Sequence, residues 1–161
     1  MAEKAYDKVA WRGVMLTARQ RNALRWAERK VQKKYPGLTL LPAQGSWANG
    51  SLSAGTHTGA GAVDVRTVML TKDQRIAVVR ALKDAGQAAW YRPYNWDGAK
   101  GGEHIHCLDI GGQNGMATGA KNQIRSFDQG KDGLRSNKPD NTYRPKPKVK
   151  FSFPKNAPVP R

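Results

Sequence analysis

All three histidines of this chain lie in two short segments, residues 57–64 and residues 103–106, and both segments also carry an acidic residue. Histidine and carboxylate side chains are typical ligands of catalytic zinc sites, which use three of them and keep a fourth position for water. A nearby carboxylate can accept the proton of that water. The candidate site residues in the two segments are His57, Asp64, Glu103, His104 and His106.

Small residues separate the first histidine from the aspartate. The glycines and alanines of residues 59–62 allow a turn that brings His57 back beside Asp64, which lies near the start of a predicted strand. Their small side chains also leave room for a metal ion and a substrate. The segment therefore predicts a loop histidine and a strand aspartate in one site.

The second segment has the alternation of a strand, in which successive side chains point to opposite faces. His104 and His106 are therefore expected on one face and Glu103 on the other. Glu103 can reach the histidine face if it lies before the regular pleat begins, which the glycines at 101 and 102 favour.

Three helices are predicted, two of them from capping signals. Thr17 to Gln20 and Thr71 to Gln74 have the spacing of capping boxes, and Pro36-Gly37 and Gly86 stop the helices that follow them. A third helix is predicted over residues 116–128, with Ile124 and Phe127 facing inward. Short strands are predicted at residues 38–43, 63–70, 87–92 and 104–110.

Composition limits the class of protein. The 161 residues, 39% of them hydrophobic, suffice for one domain with a core. The sequence has no apolar run of about 18 residues, so no membrane span is expected. Residues 1–12 lack the apolar stretch of a secretory signal. A single cysteine, Cys107, excludes an internal disulfide framework, and its apolar context predicts a buried thiol.

The net charge of +16 is concentrated in the flanks. Residues 1–36 and residues 131–161 each carry a net +7, whereas residues 37–130 carry +2. Basic flanks favour a polyanion such as nucleic acid, an acidic wall polymer or a membrane surface, and charge alone does not choose among them. Six of the nine prolines lie in residues 131–161. We therefore expect a domain over residues 1–130 and a basic, Pro-rich C-terminal arm over residues 131–161.

The spacing His-x6-Asp followed by Glu-x-x-His resembles the zinc D-alanyl-D-alanine carboxypeptidase and L-alanoyl-D-glutamate endopeptidase family. That family includes phage endolysins and shares its fold with lysostaphin-type peptidases and the hedgehog signalling domain. The resemblance spans residues 15–130. The segments most similar to the version found in actinobacteria and their phages are SAGTH (53–57), WYRP (90–93), NWDG (95–98) and GEHIH (102–106).

The resemblance implies a role for each matching residue. His57, Asp64 and His106 would bind zinc, and Glu103 would be the catalytic base. The residues expected to line the site and bind substrate are His104, Gln44, Trp90 and Arg92. Gln44 is the nearest candidate for an upstream arginine of the family. Gly55 and Ala60 stand where the family has serine and glycine.

The expected fold is α+β, with a small antiparallel sheet, helices packed on one side and a zinc cleft on the sheet, as in hedgehog and DD-peptidase domains. The resemblance implies a monomeric zinc metallopeptidase that cleaves bacterial peptidoglycan, as a phage endolysin does. Such a protein would stay in the host cytoplasm until lysis and then reach the wall, where the basic flanks would meet anionic polymers. No nucleic acid and no membrane span are expected.

Three alternatives remain open at this point. The first is a cellular D-alanyl-D-alanine carboxypeptidase. The second is a zinc-binding module without catalysis. The third is a nucleic-acid-binding protein that uses the basic helix and arm, with incidental histidines.

Overall fold

The computed structural model describes residues 3–48, 55–94, 102–111 and 115–142. The NWDG segment and residues 143–161 of the predicted arm lie outside them. The elements, in chain order, are β1 (Lys8–Trp11), β2 (Val14–Thr17), α1 (Ala18–Gln32), β3 (Pro42–Gln44), β4 (Val63–Arg66), α2 (Lys72–Asp84), β5 (Gln87–Arg92), β6 (His104–Asp109) and α3 (Thr118–Asp128). Strands β1 and β2 form a hairpin, and an antiparallel sheet has the order β3-β4-β6-β5. The α+β class is confirmed.

Both predicted capping signals start a helix. The Thr71 hydroxyl accepts a hydrogen bond from the backbone N–H of Gln74, whose side chain accepts one from Thr71 in return. Thr17 likewise accepts from the backbone N–H of Gln20. The Gln20 side chain does not close the box, because it is buried and bonded to Gly61 O and Ser46 Oγ instead. This contact ties α1 to the loop that carries His57.

The two faces of the sheet carry different helices. Ile105 and Cys107 of β6 face the larger core, which includes Leu24 of α1 and Leu82 of α2. Leu108 faces the opposite side and belongs to a second core, whose other buried members are Ala62, Ala88, Trp90, Met116, Ala120, Ile124 and Phe127. The expectation of helices on one side is therefore corrected. The apolar side of α3 covers the second face, and Ile124 and Phe127 point inward as predicted.

Two predicted strands are shorter than expected, the first because side chains bind its backbone and the second because a turn ends it. The N–H of Leu40 donates to Glu28 Oε2 at 2.7 Å, and its carbonyl accepts from Arg12 at 2.5 Å, so regular pairing begins only at Pro42. Strand β4 ends at Arg66, where a turn places the N–H of Leu70 2.8 Å from Thr67 O.

The N-terminal hairpin was not predicted. Arg12 and Gly13 have φ values of 48° and 87°, and two successive positive values are typical of the type I′ turn that joins paired strands. The Arg-Gly pair between two four-residue strands was the available signal. The high polar content of residues 1–12 obscured it.

Residues 131–142, called the C-terminal loop below, pack on the domain. Lys131 and Pro139 form a bridge, and the N–H of Asp140 donates to Gly130 O at 2.8 Å. The fully buried Lys83 of α2 donates to Asp140 at 3.2 Å and to Thr142 at 2.6 Å. The predicted boundary at residue 130 thus falls inside packed structure. None of the helices in the described ranges is long and apolar enough to cross a membrane.

Candidate metal centre

The structure brings together the three residues that were expected to bind a metal. His57 lies in the loop before β4, Asp64 lies in β4, and His106 lies directly opposite Asp64 on β6. One potential ligand atom from each residue lies within 4.8 Å of the others. His57 is 2% and His106 6% exposed. These residues, the metal cluster, could hold a metal ion.

A tight turn returns the chain from His57 to Asp64. The N–H of Ala62 donates to Thr56 O at 2.7 Å, and a Cβ on Gly61 would collide with that same carbonyl. Ala60 has a φ of 65°, a value that favours glycine. The turn therefore holds Ala60 in a conformation that costs free energy.

The ring of His57 has a defined orientation. Its Nδ1 lies 3.2 Å from the carbonyl of Gly45. A carbonyl only accepts, so a hydrogen bond at this position requires the proton on Nδ1. The other ring nitrogen, Nε2, lies 3.3 Å from Asp64 Oδ2.

A side chain that was not predicted orients His106. Its Nε2 lies 2.8 Å from Oε1 of Gln123 on α3. The amide nitrogen of Gln123 donates to Gly133 O at 3.2 Å, which fixes the amide with its oxygen toward the ring. Nε2 of His106 can therefore donate to Gln123. Nδ1 lies 2.8 Å from Asp64 Oδ1, which is also an acceptor, so the neutral ring can hold its proton at either nitrogen.

Charge within the cluster favours an ionised carboxylate. Burial raises the pKa of Asp64, but hydrogen bonding with His106 and His57 outweighs burial and holds that pKa well below its usual range. Burial lowers the pKa of His106, and Asp64 offsets part of that effect. Asp64 is thus an anion, and burial disfavours the cationic form of His106.

With their outer nitrogens facing acceptors, the two rings direct Nε2 of His57 and Nδ1 of His106 at one small volume beside the Asp64 carboxylate. Protons on these inner nitrogens or a metal ion can hold the three groups together. Two imidazole nitrogens and a carboxylate oxygen form one of the ligand sets that catalytic zinc uses. The residues could therefore hold a metal ion through Nε2 of His57 and Nδ1 of His106.

His104 lies beside the cluster, on the face predicted for it. Its Nε2 is 3.7 Å from Asp64 Oδ1, and its ring centroid is 6.2 Å from that of His106. Nδ1 lies 2.7 Å from the carbonyl of Gly102 and therefore donates to it. The ring nitrogen directed toward the cluster is Nε2.

Glu103 does not join the cluster, contrary to its expected position there. It accepts hydrogen bonds from Tyr91, from Thr67 at 3.1 Å and from Arg75 at 2.6 Å. Tyr91 packs against the larger core, on the α2 side of the sheet. The hydrogen bond from Tyr91, with those from Thr67 and Arg75, lowers the pKa of Glu103 against the opposing effect of burial. Strand alternation thus holds even at this first residue before β6.

The residues expected to bind substrate take different positions. Gln44 lies opposite Asp64 across the β3–β4 pair and is partly exposed. Trp90 and Arg92 are each 4% exposed and form the wall behind His106. The Trp90 ring stacks on that of His106 at 6.4 Å, and the Arg92 guanidinium lies 4.9 Å from the Trp90 ring. Their burial favours support of the site over direct substrate contact.

A cavity of about 550 Å³ is lined in part by the same Trp90 and Arg92. One face of α2 and the C-terminal loop line it, together with Trp90, Tyr91 and Arg92 of β5. His57, Asp64 and His106 are not among its lining residues. The cavity is therefore distinct from the metal cluster.

Comparison of the chain with protein-family models, with curated proteins and with solved structures found no match.

Proposed function

We propose that the chain is a zinc metallopeptidase that cleaves peptide bonds of bacterial peptidoglycan, as phage endolysins of the resembled family do. One observation carries the proposal: His57, Asp64 and His106 converge, and in each histidine the ring nitrogen that points away from Asp64 is bonded to an acceptor. Acceptors at those positions favour the ring forms that bind a metal. A zinc ion held by these residues would polarise a carbonyl and lower the pKa of a water molecule to about 7.

His104 is the best-placed residue for proton transfer. Because Nδ1 donates to Gly102 O, the neutral ring can accept a proton at Nε2, which faces the cluster. It would take this proton from the attacking water and pass it to the leaving amine. Glu103 is bonded to Arg75, Tyr91 and Thr67 and would have to leave all three to act as the base.

The sequence supports peptidoglycan as the substrate. The motif spacing resembles that of enzymes that cleave stem peptides, and these peptides carry free carboxylates. A chain with a net charge of +16 attracts such anionic material over long range. The basic residues of α1, a helix of the same domain as the cluster, contribute to this field.

The direct test combines metal analysis with hydrolysis of purified walls. Chelator-free protein should contain about one zinc per chain. It should release new amino groups from purified peptidoglycan, and mass spectrometry of the fragments would identify the bond. Loss of single D-alanine residues would indicate a carboxypeptidase, and cuts within the stem or cross-link would indicate an endopeptidase.

Two outcomes would contradict the proposal. Zinc-loaded protein that releases nothing from walls of several chemical types would be a binding module. Protein without zinc that binds duplex DNA more tightly than the ordinary non-specific range, about 10⁻⁴–10⁻⁶ M at physiological salt, would favour the nucleic-acid alternative. A matched Asp64→Asn protein controls for contaminating hydrolases.

A further inference from the structure

Three successive carbonyls of the C-terminal loop hold the side chains around His106. Lys131 O accepts from Trp90 Nε1 at 3.2 Å, and Asp132 O accepts from an Arg92 nitrogen at 2.6 Å. Gly133 O accepts from Gln123 Nε2 at 3.2 Å. A Cβ on Gly133 would lie 2.8 Å from the Trp90 ring, so the loop packs directly on this wall.

From this arrangement we propose that Gln123 is a positioning residue that selects the metal-binding form of His106, and that the C-terminal loop orients Gln123. The proposal rests on the proposed zinc site. It assigns Gln123 no contact with substrate or metal. Its action passes through one hydrogen bond, from His106 Nε2 to Gln123 Oε1.

The direction of the Gln123 amide decides the result. With its nitrogen bonded to Gly133 O, the amide offers its oxygen to the ring and favours the His106 proton on Nε2, in competition with Asp64 Oδ1 at Nδ1. A proton on Nε2 leaves the lone pair of Nδ1 for a metal ion. If the amide were reversed, its N–H would face Nε2 and move the ring proton to Nδ1, where it would block the metal position. Gly133 O prevents that reversal, because the amide oxygen would then face the carbonyl oxygen and neither atom could donate a hydrogen bond.

Zinc affinity tests the proposal in the full-length protein. Gln123→Met keeps the length of the side chain but removes the acceptor, and we expect zinc affinity to fall about 10–100-fold in competition with a chelator. Gln123→Glu keeps an acceptor for the ring and should bind zinc more nearly as wild type does. Asn122→Ala is the matched control, since Asn122 is the exposed neighbouring amide on α3 and should leave affinity unchanged.

Nitrogen NMR of the imidazoles gives a readout that a merely structural role would not change. With three histidines in the chain, the signals can be assigned by single substitutions. Metal-free wild type should show a substantial share of His106 protonated on Nε2, and Gln123→Met should shift the ring toward the form protonated on Nδ1, which donates to Asp64. Thermal melts of all variants would identify any loss of folding. If Gln123→Met does not fold, metal-free wild type decides the question, because His106 protonated only on Nδ1 would overturn the role of Gln123.

The outcomes separate this inference from the proposed function. Equal zinc affinity and an unchanged His106 ring form in folded Gln123→Met protein would overturn the role of Gln123 while leaving the zinc site intact. Zinc affinity in Gln123→Glu as low as in Gln123→Met would also overturn it. Wild-type protein that binds no zinc would overturn the proposed function, and the NMR of metal-free protein would still decide whether Gln123 biases the His106 proton toward Nε2.

Discussion

Two polar clusters flank the start of β6, one on each face of the sheet, and each contains a carboxylate. In the metal cluster, Asp64 faces ring nitrogens of His57 and His106. In the Glu103 cluster, defined as Glu103, Thr67, Arg75 and Tyr91, the carboxylate accepts from a hydroxyl, a phenol and a guanidinium. Both carboxylates have a lowered pKa. They differ in what supplies the positive charge or the donors.

This difference separates a metal ligand from a structural ion pair. The Glu103 cluster is complete, because Arg75 brings a permanent charge and each contact has a donor and an acceptor. The metal cluster has outer ring nitrogens that face acceptors, Gly45 O and Gln123 Oε1. The metal cluster therefore has the negative charge of Asp64 but no permanent positive charge among its own three residues. A nearby acidic residue is thus insufficient evidence of a metal site unless the donors around it are also counted.

The largest expected effect comes from removing the charge of Asp64. Asp64→Asn should reduce zinc content to near zero. It should also abolish zinc-dependent stabilisation, which is about 4 kcal/mol when free zinc is a thousandfold above Kd. Glu103→Gln makes the same carboxylate-to-amide change in the other cluster and should keep both properties. Elemental analysis and thermal melts with added zinc measure this difference between the two variants. Equal zinc content in both would contradict the assignment of Asp64 as a ligand.

Turnover on a soluble muropeptide distinguishes the two candidates for the base. His104→Ala should lower kcat about 10²–10⁴-fold with zinc retained, because general-base catalysis contributes that much. Glu103→Gln should keep most of the activity, since its carboxylate is bonded on the other face. The opposite ranking would restore Glu103 to the role that the family resemblance implies.

Acid unfolding tests the structural role of Glu103. A carboxyl whose pKa is lower in the folded state stabilises the fold above its unfolded pKa of about 4.3, and this contribution is lost as pH falls through the folded value. Wild type should therefore exceed Glu103→Gln by about 1 kcal/mol at pH 7, the scale of a partly exposed ion pair. The gap should narrow below about pH 4. Urea unfolding across this range measures it, and a gap independent of pH would contradict the assignment.

The smallest expected effect concerns the turn that positions the metal cluster. Ala60→Gly should raise the free energy of unfolding by up to about 1 kcal/mol, because glycine adopts a φ of 65° without the strain of a Cβ. The melting temperature should rise by about 2–4 °C. Ala62→Gly is the matched control: Ala62 is fully buried without a positive φ, so this change should destabilise the protein. Equal shifts of the same sign would remove the strain argument.

Much of the fold follows from local signals. Thr17 and Thr71 start their helices as predicted, because a cap requires only the first turn that follows it. The expectation that His104 and His106 share a face is confirmed, because alternation is a property of the strand itself. Strand 38–43 was misplaced because Glu28 and Arg12, from other elements, occupy the backbone groups of Leu40.

The candidate site also combines features expected from the sequence with features that only packing decides. Residue types gave five candidate site residues, the family resemblance implied His57, Asp64 and His106 as the ligand set among them, and the structure brings these three together. The packed structure alone decided that Glu103 pairs with Arg75, that Gln123 and Gly45 O orient the rings, and that α3 covers the face beside the cluster. Periodicity and capping act over a few residues and can be predicted from neighbours. A hydrogen bond such as Gln123 to Gly133 or Arg75 to Glu103 depends on how separate elements pack, so only the tertiary structure determines it.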